Sequence, residues 1–408
     1  MTMMNKPLGK DQAGLPHGFL DALAKVCGKG TLILDPADQQ RFLMEERRLF
    51  SSQAGVVVAP ASTDEVSRIV TVCAQWQVPV VPQGGNTGLV GGAVAAGNEI
   101  LLCLARMNTV IDIDAENQTM TVEAGAILAD VQSAAAAVAC AFPLSLGAEG
   151  SCTIGGNIAT NAGGIGTLKY GNARDLVLGL EVVLPDGRIW NGLRPLHKDN
   201  TGYALKQLFI GSEGSLGIVT KAVLKLYPAH NQRQTAFCAI PSPRDALALL
   251  ALARRRSGGD VTAFELMSRV SLDLVVAHTE AEDPFQEAYP WYCLIELSTS
   301  RAGDDLTTLF EGFAEEAMTE GLILDAVVAQ NVAQQQRLVA LREGIPEAQK
   351  RGGGSIKHDI SVPVSKVPDL IETATKAVLD HIPDARVCAF GHVGDGNVHF
   401  NVSQPVGA

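Results

Sequence analysis

The chain has 408 residues, enough for two or three domains at about 150 residues each. Its 47% hydrophobic and 19% charged content excludes a mainly disordered chain. With 32 Lys plus Arg against 44 Asp plus Glu, the net charge of −12 argues against DNA, RNA or an anionic membrane as partner. The eight cysteines are scattered with no CxxC pair, which speaks against a zinc ribbon, a thioredoxin motif or an Fe–S run. They read as reduced, buried residues of a cytoplasmic protein. The first 18 residues lack the apolar core of a signal peptide, and no stretch suits a membrane span. Glycine stands out at 41 residues, about a tenth of the chain where about 7% is usual.

Val56-Val57-Val58 reads as a buried strand, and Ser62 with Glu65 reads as a capping box opening a helix through Val66, Ile69, Val70 and Cys73. Val78 to Val81 is the next strand and Ile100 to Leu104 a third. Residues 110–114 and 119–123 form an expected antiparallel hairpin, followed by an alanine-rich helix over 126–138. A second hairpin, LVLGLEVVLPDGRIW, turns at Asp186-Gly187. Beyond Pro228 glycine thins out and helices (244–256, 302–319) alternate with single strands (291–297), the texture of an antiparallel α+β domain. The expected divisions are an N-terminal helical segment (1–50), a first domain (51–228) and a second (229–408).

Glycine concentrates in three blocks: 84–92, 147–171 and 211–217. The first follows a strand, yet has neither the GK[ST] ending of a Walker loop nor a GxGxxG at a strand–helix turn. Its bare backbone N–H groups suit an anion cradle, with a flexible surface loop as the alternative. Between Glu149 and Lys169 no side chain is charged, and Gly, Ala, Ser, Thr and Asn dominate. Three such walls fit a long polar ligand, although tight helix packing also selects small residues.

PQGGNTGLVGGA, GGNIATNAGGIGTLKYGNARDLVLGLEVVLPDG and GSEGSLGIVTKAVLKLYP together resemble the FAD-binding half of the vanillyl-alcohol oxidase / p-cresol methylhydroxylase family, over residues 50–230. Within it, the chain is similar to the branch holding D-2-hydroxyglutarate dehydrogenase, D-lactate dehydrogenase and the glycolate oxidase FAD subunit. The resemblance implies an α+β fold: an FAD-binding domain of two subdomains, then a cap domain on an antiparallel sheet. It also implies that Gly84, Gly85, Asn86, Thr87 and Gly88 hold the FAD pyrophosphate, with Pro82 before them also binding the cofactor. Gly147, Ser151, Gly155, Asn157, Asn161 and Gly164 would line the flavin and ribityl chain, and Ile218 would touch the cofactor through its backbone. The first loop has no His or Cys for covalent linkage, so the FAD is expected to be noncovalent.

In GHVGDGNVHFNV, Gly394-Asp395-Gly396-Asn397 signals a turn, and Val398, Phe400 and Val402 alternate with His399 and Asn401. A hairpin here brings His392 and His399 together, either as ligands of a divalent metal or as two ordinary strand histidines. The resemblance favours the metal, zinc by expectation. It also implies that Arg342 (LREGIPEAQ), Lys357 (SIKHD) and Asn401 bind the substrate; by residue type alone, the two cations read equally as solvated surface charges. His358 is expected on an apolar strand face.

The implied reaction is oxidation of a D-2-hydroxyacid to the 2-oxoacid, with hydride passing from C2 to flavin N5 and an electron acceptor left unnamed. A homodimer is compatible with this reading. Family members continue through an EHGIG-type segment carrying a third metal ligand and a histidine base. The 408 residues include neither, so a C-terminally incomplete chain is expected, with no assigned catalytic base and a catalytically silent FAD-binding fragment as the alternative.

Overall fold

The computed structural model describes residues 14–45, 47–50, 52–303 and 305–407. The chain divides into two compact units: residues 1–163 with 172–229, and residues 164–171 with 230–408. Of the expected N-terminal helical segment, residues 1–13 lie outside the described residues. Beyond them stand the helices Phe19–Ala24 and Pro36–Leu43.

The first unit holds two main sheets. One runs in the order Leu32–Ile33, Val56–Val58, Ile100–Cys103, Val80–Gln83, its last three strands parallel. The triple valine forms a strand because every one of its residues is buried, which rewards β-branched side chains. The helix Thr63–Trp76 starts where Ser62 accepts from the Glu65 N–H at 3.3 Å. The reciprocal half of the capping box is not made. The buried Glu65 carboxylate accepts instead from Gly28 N (2.5 Å), Thr31 Oγ1 (2.6 Å) and Ala61 N (2.8 Å). The second sheet is antiparallel, in the order Val110–Asp114, Thr119–Glu123, Ile218–Lys225, Val177–Val183, Ile189–Gly192. Gly187, at φ 88°, makes the expected tight turn of its second hairpin.

The second unit is built on one eight-stranded antiparallel sheet. Its order is Asp325–Val328, Gln232–Ile240, Trp291–Thr299, Val261–Ser268, Arg386–His392, Asn397–Ser403, Ser355–Ile356, with Asp359–Ser361 also paired to Asn397–Ser403. Both faces carry apolar clusters. Ala236, Cys238 and Ile240 join Leu249, Phe310 and Ile371 on one side, while Phe237 and Ala239 join Leu272, Leu341 and Ile345 on the other. Strands buried on both faces lose polar–apolar alternation, and Val261–Ser268 is buried at every residue. Sequence periodicity therefore missed that strand, and with it Glu265.

Candidate functional site

In the first unit the three glycine blocks converge. A Cβ on Gly84 would stand 2.3 Å from Thr153 Oγ1, and one on Gly85 would stand 2.1 Å from the Ser151 carbonyl oxygen. One on Gly214 would meet Pro82 Cγ at 2.7 Å, and one on Gly155 would meet Ala124 Cβ at 2.7 Å. The Gly211 and Glu213 N–H groups donate to the carbonyls of Ile158 and Ala159. Close packing of one loop on another thus selects glycine at 84, 85 and 214, and packing against Ala124 selects it at 155. Gly88 and Gly147 are different, with no atom within 4 Å of the Cβ position.

Among the described residues, no intramolecular hydrogen bond takes up the backbone N–H of Gly85, Asn86, Thr87 or Gly88. Asn86 sits at φ 55° and donates its side-chain amide to the Met44 carbonyl at 2.8 Å. The loop is therefore fastened at one residue while its donors stay open. Four such donors in succession, beside uncrowded glycine, fit a diphosphate-bearing cofactor such as FAD.

Asn157 is buried and donates to Cys152 Sγ at 3.5 Å, while Asn161, at φ 50°, accepts from the Arg174 N–H at 3.0 Å. Ser151 is exposed, and Ile218 opens a strand opposite Val183. Gly164 groups with the second unit, where its N–H donates to Thr167 Oγ1. Burial pushes the Cys152 thiol up, which makes it a poor nucleophile.

In the second unit, one sheet face gathers the polar residues of the candidate site. The strand Arg386–His392 lays Phe390 opposite His399 and Cys388 opposite Asn401. Val398, Phe400 and Val402 pack into the apolar cluster on the other face, so His399 and Asn401 project together as the alternation predicts. The imidazole centroids of His392 and His399 are 5.9 Å apart.

Arg342, near the end of the helix Val332–Glu343, is buried rather than solvated. Its Nε donates to Glu265 Oε2 at 2.7 Å, and its guanidinium lies 4.8 Å from the Phe390 centroid. The other oxygen of Glu265 bonds His392 Nδ1. Phe390 in turn stands 4.9 Å from the His399 ring, closing a circuit of five side chains. Burial raises the Glu265 pKa, but the Arg342 and His392 charges outweigh it and hold the carboxyl down to about 2. Burial lowers His392, yet Glu265 raises it further, and the net direction is upward.

The His399 Nδ1 lies 3.4 Å from Asp359 Oδ1. The hydrogen bond to His399 holds Asp359 down at about 2. With both Nδ1 atoms turned to carboxylates, the Nε2 atoms are the ones left for a ligand. Among the described residues no group of three or more His, Cys, Asp or Glu could hold a metal ion. Two imidazoles would supply half of the four ligands of a tetrahedral zinc site.

Lys357 is exposed between the short strands Ser355–Ile356 and Asp359–Ser361. The expected apolar face there is kept only at Ile360, which packs against the core cluster. Ile356 and His358 are both exposed, and His358 is held by its ring nitrogen Nδ1 on the Phe400 carbonyl at 2.8 Å. Asn401 is buried; it donates to Gln349 Oε1 at 2.8 Å and accepts from the His358 N–H at 3.1 Å. Sequence reasoning missed Glu265 and Phe390. A lone carboxylate in the apolar run VTAFELMS was the available signal, because a buried charge needs a partner.

A cavity of about 910 Å³ in the same unit is lined by Leu338, Leu341 and Gly344 and by Glu280, Glu282 and Glu343. Its acidic rim repels a carboxylate, and none of the candidate residues lines it.

Residues 54–192 match the family described as FAD binding domain, and residues 229–408 match FAD linked oxidases, C-terminal domain. The chain is 42% identical over 355 residues to a protein of Oryza sativa subsp. indica named probable D-2-hydroxyglutarate dehydrogenase, mitochondrial, covering 86% of this chain and 63% of that protein. It is 40% identical over 376 residues to the D-2-hydroxyglutarate dehydrogenase, mitochondrial, of Rattus norvegicus, covering 92% and 69%. The chain thus spans somewhat under two thirds of the rice protein's length. In fold it is similar to substrate-bound p-cresol methylhydroxylase, with a TM-score of 0.73 at 15% identity, covering 96% of this chain and 84% of the other. Two matched domains in this order, with relatives at this identity, place the chain in the FAD-linked oxidase family, in the branch of the D-2-hydroxyglutarate dehydrogenases.

Proposed function

We propose that the chain binds FAD noncovalently and oxidises a D-2-hydroxyacid, of the D-2-hydroxyglutarate or D-lactate type, to the 2-oxoacid. The observation that carries this reading is the circuit of Arg342, Phe390, His399, His392 and Glu265 on one sheet face. It puts a buried cation and two histidines side by side, as a substrate with a carboxylate next to a hydroxyl requires. When bound, FAD supplies the hydride acceptor, and a divalent metal, zinc in this reading, supplies a Lewis acid beside the 2-hydroxyl.

Arg342 keeps its terminal nitrogens for the substrate carboxylate while Nε is held by Glu265. Lys357 adds a second positive charge from the sheet edge. His392 and His399 hold the ion through Nε2. Asn401 acts at one remove: by accepting from the His358 N–H it steadies the backbone next to Lys357.

Pro82, Gly84 and Gly85 shape the first loop, and the N–H groups of Gly85, Asn86, Thr87 and Gly88 take the pyrophosphate. Gly147, Ser151, Gly155, Asn157, Asn161, Gly164 and Ile218 make up the remaining cofactor-binding set in this reading. The base for the hydroxyl proton is left unassigned, as are the electron acceptor and any homodimer. All eight cysteines are free, which suits a reducing compartment such as the cytoplasm. No helix of the described residues is long and apolar enough to cross a membrane. No observation favours the alternative of a catalytically silent fragment.

The test is isolation of the protein, release of its cofactor by denaturation, and assay for 2-oxoacid with an artificial electron acceptor. Intact FAD in the supernatant and 2-oxoacid from a D-2-hydroxyacid are expected. A colourless protein, or flavin that stays on the unfolded chain, contradicts the proposal.

A further inference from the structure

Glu265 is 1% exposed, in a strand whose other residues are also buried, and each of its oxygens is committed to a different candidate side chain. We propose that Glu265 is a positioning residue that fastens His392 and Arg342 to one anion, so that the ligand-facing nitrogen and the carboxylate-gripping guanidinium keep a fixed relation. The inference rests on the function proposed above and goes beyond it.

The chemistry of the contacts carries the argument. An ionised carboxylate only accepts hydrogen bonds. Bonded to Oε1, the His392 Nδ1 must therefore carry a proton, and the neutral ring keeps its lone pair on Nε2. Oε2 takes the Arg342 Nε–H, which leaves both terminal nitrogens of the guanidinium outside the pair. The Phe390 ring, 4.8 Å from that guanidinium, fixes its plane. Asp359 repeats the Nδ1 contact on His399, but at 3.4 Å and from an exposed position, so it cannot hold its ring as firmly. A buried ion pair is weak evidence for stabilisation, since well-packed apolar residues do as well or better. Orientation is what this one adds.

Glu265→Gln keeps the size of the side chain and tests the claim. Its amide offers one acceptor and one NH2 group: with the oxygen kept on Arg342 the NH2 group faces His392 and favours the Nε2–H tautomer, and with the oxygen turned to His392 the Arg342 contact is lost. Zinc chloride is titrated calorimetrically into the FAD-loaded wild type, Glu265→Gln and Lys357→Ala. Zinc affinity should fall about tenfold to a hundredfold in Glu265→Gln, with a raised KM for the hydroxyacid. Lys357→Ala should raise KM and leave zinc affinity as it is. A folded Glu265→Gln with unchanged zinc affinity and KM overturns the proposal.

A second measurement does not depend on the variant folding or on the wild type binding zinc. In metal-free wild type at alkaline pH, long-range 1H–15N correlation should show the His392 proton on Nδ1. A proton on Nε2 overturns the proposal. Should the wild type bind no zinc and oxidise no hydroxyacid, the functional reading fails, and the tautomer still decides the role of Glu265.

Discussion

Glycines of one block have different duties, and single substitutions separate them. A Cβ at Gly85 would lie 2.1 Å from the Ser151 carbonyl oxygen, whereas at Gly88 it would meet nothing within 4 Å. Gly85→Ala should therefore cost about 1–3 kcal/mol through overpacking, read as a lower denaturant midpoint. Gly88→Ala should stay within about 0.5 kcal/mol of wild type. If Gly88 is open because a cofactor lies against it, its variant should still lose FAD affinity, measured by flavin fluorescence. The two cations divide in the same way. Arg342→Ala leaves Glu265 buried without its strongest partner, so it should lose about 3–5 kcal/mol of stability as well as raise KM. Lys357→Ala, on an exposed edge, should raise KM with stability unchanged. Denaturant melts beside Michaelis curves check both.

At the scale of elements, the segment 164–171 leaves its sequence neighbours and joins the second unit. Lys169 pairs with Asp260 and donates to the Ser298 carbonyl, both at 3.0 Å, and Leu168 fills the space a side chain on Gly394 would need. Tyr170 hydroxyl meets His230 Nε2 at 2.5 Å. Burial, with Arg233 and Lys169 nearby, lowers His230 below its ordinary value of 6.5. The unfolded chain then binds the extra proton first, so the stability gained by burying a neutral His230 is full above about 6.5 and is lost as pH falls toward the folded value. His230→Gln should flatten that part of the stability–pH curve, measured by denaturation at a series of pH values. Equal slopes for variant and wild type below 6.5 would remove His230 from the account.

How much of the fold is legible in the sequence follows from periodicity. The hairpins Val110–Asp114/Thr119–Glu123 and Val177–Val183/Ile189–Gly192 were visible because turn residues separate their strands. The histidine hairpin was visible for the same reason, through Gly394-Asp395-Gly396-Asn397. The strand Val261–Ser268 was not, since burial on both faces erases its alternation. Glu265 shared that fate, and its partners at 342 and 392 are distant in sequence. His358 shows the converse: an apolar strand face is expected there, but the strand is interrupted between Ile356 and Asp359 and the residue is exposed.

For the molecule as a whole, the first unit offers a loop of open backbone donors and the second a cation–histidine circuit. The central claim is that these serve one oxidation. Anaerobic mixing of the FAD-loaded protein with D-2-hydroxyglutarate, followed by flavin absorbance, tests it most directly. The oxidised flavin band should bleach with D-2-hydroxyglutarate or D-lactate, and the bleaching should need higher substrate in Lys357→Ala. A flavin that stays fully oxidised with both acids would contradict it.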